Sequence, residues 1–334
     1  MSLVPDRAIC VRTYPYSETS QIATLFARTR GLVRVIAKGS HRATKAGSSK
    51  FDGGLDLLDE ADALVGDRTE KDLNVLAEWK IVEGFRPLRR SSRPMFLGLM
   101  LAELIGELFA ANDPHPPIYD RFRHTLGQLG SASGEEHGLA MLLDVLRASG
   151  YLPSLTKCAS CGNSVAGERV LYFSASGGGV ICRNCEVALP DRMNVDPRLI
   201  GIAVNILRLP REAGGAALRL PRITRAQSDP LLAMMLLHVQ HVIQKPLRMK
   251  RWVEAPRRRT NPPRSRELAR ASDETRRTDP VPESPHEASN ETRVVSASNA
   301  TESDSRASSR LHEGDTTPTG ASGEPDAPVE SISN

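Results

Sequence analysis

No apolar run in this chain approaches the ~20 residues needed to cross a bilayer. Its first residues, Met1-Ser2-Leu3-Val4-Pro5-Asp6, have neither the charged start nor the apolar middle of a secretory signal. A soluble, cytoplasmic protein without membrane contacts is the expectation. Cysteine is scarce: five residues in 334, four of them in two close pairs, which disfavours a secreted disulfide framework. There is no GxxxxGK[ST] phosphate loop, so a nucleotide-driven motor or recombinase is not expected. No GxSxG elbow, HExxH helix or paired-carboxylate motif stands out, and the chain is read as a non-enzyme. Aromatics are few, seven Phe, five Tyr and two Trp, so any binding of nucleic acid is expected to rest on phosphate contacts, independent of base sequence and sensitive to salt.

The cysteines that are present are informative. Cys158-Ala159-Ser160-Cys161-Gly162 is followed, about twenty residues on, by Cys182-Arg183-Asn184-Cys185, the CxxC…CxxC spacing of a four-thiolate zinc site. Between the pairs, Val170 to Phe173 reads as a strand, Gly177-Gly178-Gly179 as a turn and Val180-Ile181 as a returning strand, a hairpin that brings the second pair beside the first. Four thiolates leave no open coordination position, so one structural rather than catalytic Zn2+ per chain is expected on Cys158, Cys161, Cys182 and Cys185.

Charge is unevenly distributed. From Arg7 to Lys50 the chain carries Arg12, Arg28, Arg30, Arg34, Lys38, Arg42 and Lys45 among its bases and a single acid, Glu18; from Asp52 to Glu78 acids dominate. The same region is strand-like: Ala8 to Arg12, Leu32 to Ala37, Leu55 to Asp59, Ala61 to Val65 and Leu73 to Ala77, with Ile22 to Phe26 readable as a strand or a short turn of helix. Short strands without a long covering helix fit an OB-type barrel over residues 1–80. OB barrels hold single strands in basic grooves with aromatic platforms; here Phe26 and Trp79 read as core, and Tyr14 and Tyr16 flank Pro15 in an expected loop. His41 to Lys50 reads as a basic loop able to close over a phosphate backbone.

Beyond Pro87 the periodicity becomes helical. Stripes run through Met95 to Phe109, Tyr119 to Leu129 and Leu139 to Leu146, the last ended by Gly150; Asp196-Pro197 and Asp229-Pro230 open two more. His238 and His241 are spaced three apart without a carboxylate at ligand spacing, so they are read as ordinary core or surface histidines. The organisation expected is α+β and multidomain: barrel 1–80, helical domain 81–253 with a zinc module at 155–190, and a disordered tail 254–334 poor in apolar residues.

These pieces together resemble the RecO family of bacterial recombination and repair mediators. The resemblance is carried by Ala8 to Arg12 with Tyr16 to Thr19, Leu25-Phe26, Gly31 to Arg34 and Ala37-Lys38-Gly39. It continues in Gly150-Tyr151-Leu152-Pro153 ahead of the cysteines, Tyr172-Phe173-Ser174 with Gly178-Gly179, and Arg248-Met249-Lys250-Arg251, and so spans about residues 3 to 253. It implies a DNA-binding protein of the nucleoid that takes single and double strands, anneals complements without ATP, and with RecR helps load RecA onto strands coated by single-stranded-DNA-binding protein. Arg12, Arg28, Arg30, Arg34, Lys38, Arg42 and Lys45 are then the expected phosphate contacts, Arg34 and Lys38 foremost. Docking of the acidic, apolar tail of single-stranded-DNA-binding protein would need a hydrophobic pocket rimmed by Arg or Lys. The competing expectation is a zinc-stabilised protein-interaction adaptor without significant DNA affinity.

Overall fold

Alternation decides the first eighty residues. In β3 (Gly31–Ala37) Val33, Val35 and Ala37 point to one side while Arg34 and Ile36 point to the other, the period-two pattern of a strand with a single apolar interior. The computed structural model describes residues 2–41, 50–51, 53–66, 73–210 and 220–249. Strands β1 (Leu3–Ser17), β2 (Ser20–Ala27), β3, β4 (Glu60–Gly66) and β5 (Asn74–Glu83) close a barrel in the order β1-β2-β3-β5-β4, with β4 returning to β1. Only the β3–β5 pairing is parallel. This is the expected OB barrel. Its interior is filled by Ala8, Cys10, Ala23, Leu25, Val33, Val35, Ala63, Leu76 and the fully buried Trp79.

Two stretches of the barrel differ from expectation. Leu55 to Asp59 is a turn, not a strand: Leu58 takes a left-handed φ of 70°, its N–H donates to the Cys10 carbonyl at 2.8 Å, and Leu55 plugs the barrel while Leu58 packs outside it. The apolar residues that imitated a strand serve two different cores. Tyr14 and Tyr16 lie in β1, not in a loop, because that strand continues to a tight hairpin in which Ser17 pairs with Ser20. The ambiguous Ile22 to Phe26 is strand throughout.

A second apolar cluster joins the outside of the barrel to the helices. Ile9, Val11, Phe26, Leu32 and Leu58 pack against α1 (Arg86–Arg89), α2 (Ser92–Leu108), α3 (Pro116–Gln128) and α4 (Gly134–Ala148). Phe26 sits between Phe109 and Tyr119, with ring centroids at 6.2 and 5.8 Å. Polar contacts fix the same seam. The Glu60 carboxylate, fully buried, accepts from Tyr119 Oη at 2.9 Å and from Arg123 Nε at 2.8 and 2.9 Å. Burial, reinforced by the negative charge of Glu60, pushes the Tyr119 hydroxyl far above its ordinary range, so it remains a donor.

Gly31 shows how close the two parts come. Its φ is +70°, and a Cβ there would lie 2.0 Å from the Asp113 carbonyl oxygen in the α2–α3 connection, where Asn112 N–H also donates to Leu32 O at 3.0 Å. Gly31→Ala is therefore expected to cost about 2–4 kcal/mol, adding left-handed strain to a backbone clash. A denaturant midpoint equal to that of the parent would contradict this docking.

The helices are closed as their sequences suggest. Gly150, at φ +80°, follows α4, with its N–H on Arg147 O at 3.2 Å and the Tyr151 N–H on Leu146 O at 2.8 Å, the paired bonds of a Schellman cap. Asp196 accepts from Arg198 N at 2.8 Å to open α5 (Pro197–Arg208). Helix α6 (Arg225–Ile243) departs from expectation by starting before Asp229-Pro230: Thr224 and Gln227 form a capping box, and Pro230 lies inside the helix. Pro230 has no N–H for the carbonyl of Ala226, an exposed residue in the first turn. The hairpin β6 (Leu171–Ser174) and β7 (Gly179–Cys182) forms as expected, with an added edge strand β8 (Met193–Val195). All described residues belong to one compact unit, Met1–Arg259.

Buried histidine gives the fold a pH dependence. His238 on α6 is 5 % exposed, with Nε2 3.0 Å from Tyr151 O, and burial holds its pKa below the ordinary value. His124 and His137, ring centroids 5.3 Å apart across α3 and α4, are lowered for the same reason. A depressed folded-state pKa means that the unfolded chain takes up the proton first. Stability is thus fully present above about pH 6.5 and declines as pH falls through the folded-state values. Urea midpoints at pH 7.5 and 5.5 should differ in that direction; a higher midpoint at pH 5.5 would contradict it.

Candidate nucleic-acid interface and metal centre

The cysteine pairs meet. Sγ atoms of Cys158, Cys161, Cys182 and Cys185 all lie within 4.8 Å of one another, with Cys161 and Cys182 at 3.9 Å. A tetrahedron with ~2.3 Å metal–sulfur bonds has sulfur–sulfur edges of about 3.8 Å, so the four are gathered to metal-site dimensions. Local sequence explains this. Gly162, at φ +76°, turns the first CxxC back so that its N–H donates to Cys158 O at 2.8 Å. Strand β7 runs into Cys182 and a 3-10 turn over Arg183–Ala188 carries Cys185. Gly179 is required where β7 crosses the first knuckle, since a Cβ there would be 2.4 Å from Ser154 O.

Electrostatics at the cluster favour a cation. Burial raises the Cys158 thiol, but backbone N–H groups around Cys161, Cys182 and Ser160 outweigh it and bring the pKa to about 6. Cys182, through burial and its bonds to the neighbouring sulfurs, is pushed up to about 12. Four thiols this close cannot all ionise unless a positive ion compensates them, and a soft divalent metal does so. Cys158 and Cys182 also belong to the helical core cluster, so the module is part of the fold's interior rather than an appendage.

The outer face of β1–β2–β3 is the candidate nucleic-acid surface. Register places Arg12 opposite Thr24 and Thr24 opposite Arg34, one row across three strands. Tyr14 lies opposite Ile22, Ile22 opposite Ile36 and Ile36 opposite Val75, the next row. Lys38 immediately follows β3 on the exposed side. Arg34 and Lys38 are exposed and make no ion pair among the described residues.

The other expected contacts are placed differently. Arg12 donates to Glu107 of α2 at 2.6 Å, and Lys245 reaches the same carboxylate at 3.4 Å. Together these cations hold the Glu107 carboxyl below its ordinary pKa despite burial. Arg28, in the β2–β3 turn, grips Asp120 of α3 through two bonds of 2.8 and 2.9 Å. Arg30 is half-buried in that turn. Arg12 and Arg28 thus tie the barrel to the helices in this state. Arg42 and Lys45, like most of the expected basic loop and the tail 254–334, lie outside the described residues.

Sequence reasoning missed the partners of these arginines. Glu107 and Asp120 are separated from them by 95 and 92 residues, and no local signal announces such pairs. It also missed Glu103, which accepts from the Arg248 and Met249 N–H groups at 2.8 and 3.0 Å and pins the chain beyond α6 to α2. Of the two histidines of α6, His238 is buried and His241 exposed.

Comparison with known proteins gives a consistent result. The family description "Recombination protein O N terminal" matches residues 1–85 and "Recombination protein O C terminal" matches residues 93–251. A DNA repair protein RecO of Anaeromyxobacter dehalogenans is 32 % identical over 234 residues, covering 70 % of this chain and 85 % of the relative. That of Rhodopirellula baltica is 35 % identical over 183 residues, covering 53 % of this chain and 65 % of the relative, just under two thirds of its length. One from Caldanaerobacter subterraneus is 23 % identical over 234 residues and is covered to 91 %.

Proposed function

The chain belongs to the RecO family of DNA repair and recombination proteins, and from that premise we propose that it is a non-enzymatic recombination mediator. In this reading it binds single- and double-stranded DNA, anneals complementary strands without ATP, and with RecR helps load RecA onto strands coated by single-stranded-DNA-binding protein. The observation that carries the DNA-binding part is the exposed outer face of β1–β2–β3, where Arg34 and Lys38 stand free of ion pairs among the described residues. Two complementary strands repel through their phosphates; a fixed basic surface that holds both releases counterions and lowers that barrier without nucleotide hydrolysis.

The four cysteines hold a structural Zn2+ whose role is to close the module onto the helical core, with no position left for water or substrate. For the docking of single-stranded-DNA-binding protein the candidate is the cavity of about 290 Å3 between the zinc module and α5, lined by Leu155, Val165, Ile200 and Val204 together with Arg208 and Glu168. Its leucine, valine and isoleucine side chains suit the apolar part of such a chain end, and Arg208 its carboxylate.

Equilibrium binding to labelled single strands and duplexes across a salt series tests the reading. Affinity that falls steeply with salt for both substrates supports it. Absence of binding by zinc-loaded, folded protein at low salt would leave the adaptor alternative.

A further inference from the structure

Tyr14 and Tyr16 are the anomaly of the candidate face. In a chain with few aromatics, Tyr14 is 40 % and Tyr16 62 % exposed, while Trp79, Tyr119, Phe26, Phe122 and Phe173 are fully buried. Neither tyrosine makes a hydrogen bond or a ring contact among the described residues. Burying a ring is the usual way for it to contribute to stability, and these two forgo it.

Their position has a pattern. The Tyr14 row continues through half-buried Ile22 to Ile36, which is 7 % exposed. The ring is therefore the open end of an apolar strip whose other members are progressively covered. Arg34 on β3 and Lys38 just beyond its end bracket Ile36 at positions two before and two after it, so the strip lies between the two cations, each about 7 Å from it along the chain. Across the strands, Tyr14 is about 10 Å from Ile36. Beside it on β1 the Arg12 guanidinium is held by Glu107 at 2.6 Å and interacts electrostatically with Tyr14. Tyr16 sits one step beyond, at the irregularity between Pro15 and Ser17, next to the hairpin turn.

We propose that Tyr14, extended by Tyr16, is a base-stacking platform that makes this face prefer single-stranded DNA over duplex. The inference rests on the DNA-binding reading of the same face. Phosphates held by Arg34 and Lys38 are common to both substrates and give no discrimination. Bases in a duplex have both faces covered by their neighbours, so only an unstacked strand has a free face for the ring, with half-buried Ile22 as its apolar flank. The platform thus supplies what the phosphate row lacks: a bias toward the strand that still has a complement to find.

The test uses the full chain and its variants Tyr14→Ala, Tyr14→Phe and Arg34→Ala/Lys38→Ala, with oligothymidylate, a duplex of equal length, and an abasic sugar–phosphate oligomer as probes. Tyr14→Ala is expected to bind oligothymidylate about five- to tenfold more weakly, with an unchanged salt slope and unchanged duplex affinity. Tyr14→Phe, which keeps the ring, should bind as the parent does, and the abasic oligomer should not distinguish parent from Tyr14→Ala. Undiminished oligothymidylate binding by Tyr14→Ala, alongside weaker binding by Arg34→Ala/Lys38→Ala, would overturn the platform and leave the phosphate row standing. Equal weakening of duplex and single strand by Tyr14→Ala would also overturn it. Unchanged binding by Arg34→Ala/Lys38→Ala would remove the DNA-binding reading of the face, and the platform with it.

Discussion

Replacing Cys158 and Cys161 by Ser is expected to remove one metal ion per chain and to lower stability by more than about 4 kcal/mol, the range associated with loss of a structural metal. The magnitude follows from where the sulfurs lie. Cys158 is 1 % and Cys182 8 % exposed, inside the cluster that also contains Leu155, Val165, Phe173 and the inner faces of α4, α5 and α6. Without a cation the cluster keeps thiols whose ionisation is mutually opposed, Cys158 drawn down to about 6 and Cys182 up to about 12. With serine in place of two of them, a hydroxyl replaces the buried Cys158 thiol and the site no longer offers enough thiolates for Zn2+. Metal content is measured after dialysis, and denaturant midpoints report the stability. Zinc near one per chain in the double variant would refute the ligand assignment. An unchanged midpoint on metal loss would refute the structural role.

Arg34→Ala/Lys38→Ala is the second large effect. Both side chains are exposed and free of ion pairs among the described residues, so folding should be unaffected. Taking about 1 kcal/mol per phosphate contact, the double variant should lose about thirtyfold in affinity at low salt. The logarithmic salt slope should flatten by about 1.4 on single strands and about 1.8 on duplex. The slope is the more diagnostic of the two, because it counts released counterions and is indifferent to an overall loss of active protein. By contrast, Arg12→Ala and Arg28→Ala remove ties to Glu107 and Asp120 as well as charge, so any effect on DNA mixes seam and surface. Equal slopes for parent and Arg34→Ala/Lys38→Ala would remove these residues from the interface.

How much of this was readable in advance depends on the range of the cause. The meeting of the two cysteine pairs was legible because each CxxC is a local turn and the hairpin between them announces itself through Gly177 to Gly179. The barrel was legible because β3 and its neighbours alternate. The Gly150 cap and the Asp196 cap were legible because capping is decided within a few residues. Leu55 to Asp59 misled because its leucines are shared between two cores, a distinction that only the folded seam creates. The start of α6 misled because Asp229-Pro230 looks like a cap, while the actual Thr224–Gln227 box lies one turn earlier. Tyr14 seemed a loop residue on account of Pro15, and its strand position emerges only from pairing with Ile22.

The seam between barrel and helices was wholly illegible and governs the candidate site most. Glu60 is separated from Arg123 by 63 residues, and Arg12 from Glu107 by 95. Arg12 and Arg28 cannot be told from Arg34 and Lys38 without the distant partners Glu107 and Asp120. Arg34 on β3 and Lys38 just after it are the two that make no ion pair among the described residues.

The central claim is that this chain brings complementary DNA strands together without nucleotide hydrolysis. The most direct measurement is the annealing rate of complementary oligonucleotides precoated with the cognate single-stranded-DNA-binding protein, in the absence of ATP, across a salt series. The account predicts acceleration at low salt that fades as salt rises and is reduced in Arg34→Ala/Lys38→Ala. No acceleration at low salt by folded, zinc-loaded protein would contradict it.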